Sequence, residues 1–172
     1  MARALNFVAS QAVWLLSLLG AGSGWHWLGA VAFALFLALH LWVSRTRRVD
    51  ATLALVAAGF GLVLDTGFAQ AGVLAYAAPL PLAGIAPYWI LVMWGNFGLT
   101  LNSSLAWLQQ RPLGGALLGA VGGPLAYIAG VKLGAASVTV SPLVANAVIG
   151  LSWALALPLL LRLAGRLAGH GR

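Results

Sequence analysis

Residues 25–69 read WHWLGAVAFALFLALHLWV, then SRTRRVD, then ATLALVAAGFGLVLDTGFA. Two apolar stretches of nineteen residues flank a seven-residue loop that holds three arginines. A helix that crosses a bilayer needs about 20 mostly apolar residues, at a rise of about 1.5 Å each. Each stretch is long enough, and the polar loop between them is a natural turn at a membrane surface. The same pattern recurs in both directions, at residues 5–19, 88–108, 113–135 and 143–161. The expected fold is therefore all-α: a polytopic membrane helix bundle with six transmembrane helices over residues 1–161. A basic cytoplasmic tail, residues 162–172, follows and is expected to lie along the inner leaflet.

Composition excludes most alternatives. Of 172 residues, 62% are apolar and 6% are charged, with a mean hydropathy of +1.00. A soluble domain carries about a quarter charged residues, and disorder needs low hydrophobicity. There is no cysteine and no Glu, and the only acids are Asp50 and Asp65. Disulfides, thiolate chemistry and paired-carboxylate catalysis thus have nothing to work with. The nine Lys and Arg sit between apolar stretches instead of along one face, so they record orientation and not nucleic-acid binding. With the N-terminus inside, Arg3, Arg45, Arg47, Arg48, Arg111, Arg162, Arg166 and Arg172 fall on the cytoplasmic side and only Lys132 falls outside, eight to one. A seventh span through residues 72–87 would reduce that bias to five against four and would carry Pro79 and Pro81 mid-helix. An external loop or shallow re-entrant segment is expected there. Arg3 and the small residues 21–23 have the outline of a signal peptide, but Asn6, Ser10 and Gln11 interrupt its apolar stretch. Trp25, Trp27, Tyr88 and Trp89 are placed at the outer interface, Trp42 and Trp107 at the inner one, and Trp14, Trp94 and Trp153 between helices.

The polar residues within the spans are the candidate sites. Asp65 in the third segment and Lys132 in the fifth lie at comparable depth, offset by roughly 5–10 Å along the bundle. They are expected to form an intramembrane ion pair, or to stay apart with Lys132 snorkelling to the outer headgroups and Asp65 protonated, or to make a proton or cation site. Asn6, Ser10 and Ser17 share a face of the first segment, with Gln11 beside it. Asn96, Thr100 and Ser103 share a face of the fourth, with Asn102 beside it. Such rows bond helices together, or line a polar cavity open to the cytoplasm. Gly115, Gly119 and Gly123, continued by Gly130 and Gly134, mark close helix packing, and Pro124 is expected to kink that helix. His26, His40 and His170 share no ligand spacing, so no metal site, no cofactor and no serine triad are read.

Three stretches, LNFVASQAVW (5–14), WGNFGLTLNSSLAWL (94–108) and GAVGGPLAYIAGVKLGA (119–135), resemble a family of small bacterial inner-membrane proteins of unknown function. The resemblance spans nearly the whole chain and is most specific at 119–135. Many members carry His where this chain has Ser103, so histidine chemistry there is not carried over. Genes of that family often lie near cyclopropane-synthase-type fatty-acid-modifying enzymes and flavin oxidoreductases. The resemblance thus implies the bacterial inner membrane, and an accessory or assembly role in membrane-lipid modification or envelope stress, with lipid-modifying or other membrane proteins as partners. A small permease or substrate-binding subunit using Asp65 and Lys132 is the first alternative. A membrane enzyme acting on a lipid, through Asp65, Asn102 and Ser103, is the second.

Overall fold

Polar residues decide where the helices stop. The structure is a computed structural model and describes residues 3–170; Arg172 and the His170 side chain, placed on the cytoplasmic side by the sequence, lie outside what it describes. Six helices follow in order: α1 (Arg3–Ser23), α2 (Leu28–Val43), α3 (Arg47–Gln70), α4 (Tyr88–Leu101), α5 (Pro112–Lys132) and α6 (Pro142–His170). Two short strands, β1 (Leu74–Tyr76) and β2 (Ala136–Val138), pair antiparallel with Tyr76 opposite Ala136. The fold is all-α apart from this ribbon. By length and composition α1, α3, α5 and α6 are capable of crossing a membrane, and α2 is a shorter apolar helix.

The described exterior is as apolar as the interior. Leu35, Leu55, Val63, Leu117, Leu151 and Leu155 are each 68–75% exposed, as suits helices apolar enough to cross a membrane. The core joins α3, α4 and α6 through Leu53, Ala57, Trp89, Trp94, Leu101, Leu157 and Leu161. Helices that are neighbours in sequence pack in close pairs, and small residues set the approach. A Cβ on Gly29 of α2 would lie 2.2 Å from Ser17 Oγ of α1, one on Gly98 of α4 2.6 Å from the Leu53 carbonyl of α3, and one on Gly119 of α5 2.2 Å from the Trp153 carbonyl of α6. Gly115 and Gly123 face α6 in the same way. Helix α5 runs unbroken through Pro124. The proline leaves the Ala120 carbonyl without its helical donor, and Gly150 of α6 packs over that oxygen, where a Cβ would lie 3.0 Å away. Gly119→Val is expected to lower the unfolding midpoint in detergent by the equivalent of about 1–3 kcal/mol. Gly122→Ala, whose Cβ meets nothing within 4 Å, is the control and should leave the midpoint unchanged or raise it.

Two expected boundaries are corrected. The segment 88–108 is not one helix: α4 ends at Leu101, and turns lead to a 3-10 turn at Ala106–Leu108. Asn102, Ser103 and Ser104 offer side-chain partners that compete with the helical ladder there. The tail does not leave the bundle. Helix α6 continues to His170, and Leu160, Leu161 and Ala164 are buried with Leu167 packed on the same cluster; their spacing keeps one apolar face beyond Arg162. Trp89, in the first turn of α4, is buried against the protein with its indole N–H on the Ala77 carbonyl at 3.0 Å. Residues 72–87 form β1 and a loop, not a seventh helix.

Candidate functional site

Leu53, Ala57, Gly61 and Asp65 follow one another at intervals of four on the buried face of α3. That row puts the Asp65 carboxylate in the middle of the bundle, fully buried. Three aromatic donors satisfy it. Tyr127 of α5 and Tyr76 of β1 donate their hydroxyls to Oδ1 at 2.6 and 2.7 Å, and the Trp94 indole of α4 donates to Oδ2 at 2.7 Å. Gly61, one turn before Asp65, makes room for the Trp94 ring, since a Cβ there would lie 2.0 Å from Cδ1. Trp94 in turn stacks on Trp153 of α6 at 4.5 Å.

Lys132 is not Asp65's partner; it is exposed at the C-terminal end of α5. The expected depth match left out rotation about the helix axis. Tyr127 is the α5 residue that faces Asp65, and five residues further on a helix has turned about 140° away from that direction. Tyr127 continues the row Gly119, Gly123 at the same spacing of four, a signal the sequence reading did not use.

The arginine-rich end of the bundle holds a second polar cluster. Asp50, in the first turn of α3, accepts from His40 Nε2 of α2 at 3.2 Å, from Ser44 Oγ, from Thr46 Oγ1 at 3.3 Å and from Asn102 Nδ2 at 3.4 Å. Asn6 of α1 reaches the other side of the His40 ring, Nδ2 to Nδ1 at 3.3 Å. The orientation of Asn6 is set by main chain: Oδ1 accepts from the Ser104 N–H at 3.3 Å and from its hydroxyl at 2.7 Å, while Nδ2 also donates to the Leu99 carbonyl. Nδ1 of His40 must therefore accept, which leaves the proton on Nε2, toward Asp50. Gln109 joins through Leu101 O and Asn102 Oδ1. Reading the histidines as isolated missed the His40–Asp50 pair, whose members stand only ten residues apart across the loop. Both ring nitrogens are engaged and Ser44 faces the carboxylate, so the cluster is a clip on four helix ends and not a nucleophile with its base.

Between α1, α4, α5 and α6 lies a cavity of about 500 Å³. Of the residues expected to line a polar cavity, Gln11, Asn96 and Thr100 do so, with Ser10 and Ser104; Asn6 and Asn102 belong to the clip, and Ser103 takes part through its backbone, its N–H donating to the Thr100 carbonyl and its carbonyl accepting from the Ala106 N–H. Most of the wall is apolar. Gly119, Gly123 and Gly130 form part of it, while Gly115 packs on Leu161 and Gly134, at φ +75°, makes the turn after α5. The β ribbon closes one end through Tyr76 and Ala136. Phe7 and Gln11 of α1 face Leu118 and Leu125 of α5 at an exposed rim. Tyr76, Trp94 and Tyr127 all line the cavity, so the Asp65 carboxylate stands one side chain behind its wall. Asn96 is 3% exposed; its Nδ2 donates to the Ser10 carbonyl at 3.0 Å, but its Oδ1 has no hydrogen-bond partner.

No curated protein and no solved structure matches this chain. A family profile does, over residues 3–159. The chain belongs to that family, the proteins of unknown function DUF2878.

Proposed function

We propose that this protein crosses the bacterial inner membrane with all six helices, both termini on the arginine-rich side, and binds a mostly apolar small molecule in the cavity between α1, α4, α5 and α6. The observation that carries the reading is the cavity itself. Its volume of about 500 Å³ falls in the range of small-molecule sites, which are apolar with a few placed polar groups. Its rim opens between α1 and α5, where Phe7, Leu118 and Leu125 are 43–59% exposed. In a bilayer that rim faces acyl chains, so an amphiphile enters sideways without crossing water. A bundle packed to its centre would have favoured a purely scaffolding role. The accessory role implied by the family resemblance fits this geometry as a subunit that presents a lipid-like molecule to a partner enzyme.

Gly122 supplies the test. It lines the cavity, and a Cβ there meets nothing within 4 Å, so Gly122→Phe fills the void without a backbone clash. Trp14, Trp89, Trp94 and Trp153 line the same space and report on it. Brominated dodecanol is expected to give saturable quenching of tryptophan fluorescence in the purified protein. Gly122→Phe should weaken it by about tenfold or more while circular dichroism and the unfolding midpoint are kept. Equal saturable quenching in both proteins would remove the cavity as the site.

A further inference from the structure

The proposed binding reading leaves the head group open, and the wall of the cavity addresses it. Three features of that wall have the same electrostatic sign. The Asn96 Oδ1 is a buried acceptor without a donor. The Asp65 carboxylate lies one side chain away, held only by neutral hydroxyl and indole donors. Eight of the lining residues are aromatic, and ring faces carry negative potential that attracts cations within about 6 Å. No Lys, Arg or His is among the lining residues, so no side chain there balances a negative head group. Among the described residues one other buried side-chain polar atom lacks a partner, the Trp153 indole N–H, a neutral donor that carries no charge to balance a negative head group.

Resting on that reading, we infer that the ligand is a protonated amphiphilic amine: an apolar chain along the α1–α5 side of the cavity and an ammonium head that donates an N–H to Asn96 Oδ1 beside the aromatic wall. The ammonium supplies the missing donor and sets its charge against the aromatic faces and the Asp65 carboxyl behind them. A zwitterionic head fits less well, because its phosphate would find no cation. A quaternary ammonium keeps the charge and loses the N–H.

The experiment is a competition. The full-length protein in an uncharged detergent is loaded with brominated dodecanol, and tryptophan fluorescence recovery is followed as dodecylamine, dodecyltrimethylammonium, dodecanol or dodecyl sulfate is added. Dodecylamine is expected to displace the probe at a concentration about tenfold or more below that of dodecanol. The trimethylated amine should be weaker than dodecylamine, and the sulfate weakest. Asp65→Asn should remove most of the preference for amine over alcohol, and Asn96→Leu should remove the preference for dodecylamine over its trimethylated form. If either variant fails to fold, the ranking in the unmodified protein decides the question. Equal displacement by amine and alcohol, or tightest binding of the sulfate, overturns the amine while leaving the cavity reading intact. Absence of saturable quenching by the alcohol and of any fluorescence response to the amine overturns both.

Discussion

Asp65→Leu is expected to destabilise the folded protein by at least about 3 kcal/mol, because a buried donor that loses its acceptor costs about 1–3 kcal/mol and three donors lose theirs. Leu has the branching of Asp but bulkier methyl groups, so overpacking against the three donors adds to the loss. The Tyr127 and Tyr76 hydroxyls and the Trp94 indole N–H would all remain inside the bundle without the carboxylate that receives them. The indole is the least forgiving, since its N–H is fixed in the ring plane and the ring is pinned by Gly61 and by its stack on Trp153. Removing donors together with the acceptor should restore much of the loss. The triple variant Asp65→Leu, Tyr76→Phe, Tyr127→Phe is expected to unfold at a higher denaturant concentration than Asp65→Leu alone. Denaturation followed by circular dichroism in detergent measures both. A single variant as stable as the parent would mean that the three bonds contribute nothing to the fold.

Asp50→Ala should have an effect of similar size at the other end of the bundle. Its carboxylate receives His40, Ser44, Thr46 and Asn102, and each buried donor that loses its acceptor costs about 1–3 kcal/mol. The consequence is spatially specific. Asp50 ties the turn between α2 and α3 to the end of α4, and His40 passes the connection to Asn6 of α1. Amide exchange is therefore expected to rise first in residues 40–50 and 99–109, with the Asp65 region protected for longer. His40→Ala combined with Asp50→Ala should cost less than the sum of the two single changes, because each single change already disconnects the same bond. Strict additivity would show that the two side chains act independently.

The two centres differ in how readable they were from the chain. That Asp65 is buried followed from its place within an apolar segment, and its depth followed from counting residues. Its partners did not follow. Tyr76 reaches it because β1 pairs with β2, a contact between segments about sixty residues apart that carries no periodic signal. Lys132 was at the right depth on the wrong side of its helix. For the polar clip, the residues stood in plain view as loop and helix-end polar groups, but a backbone carbonyl and a backbone N–H, of Leu99 and Ser104, orient Asn6 and through it His40. Those atoms are present in every residue and distinguish no sequence.

What the amino-acid order settled alone is the apolar character of the chain and its helices. Uninterrupted apolar stretches leave the backbone no partner in hydrocarbon except itself, so they become helices, and the arginines mark one end of them. What only the tertiary structure decided is rotation about each helix axis and the space left between helices. Both depend on where small residues let neighbours approach, as at Gly61, Gly98 and Gly119, and where facing helices stand apart, as Phe7 and Gln11 do from Leu118 and Leu125. Depth accumulates residue by residue along a chain, whereas a cavity is a property of four helices at once.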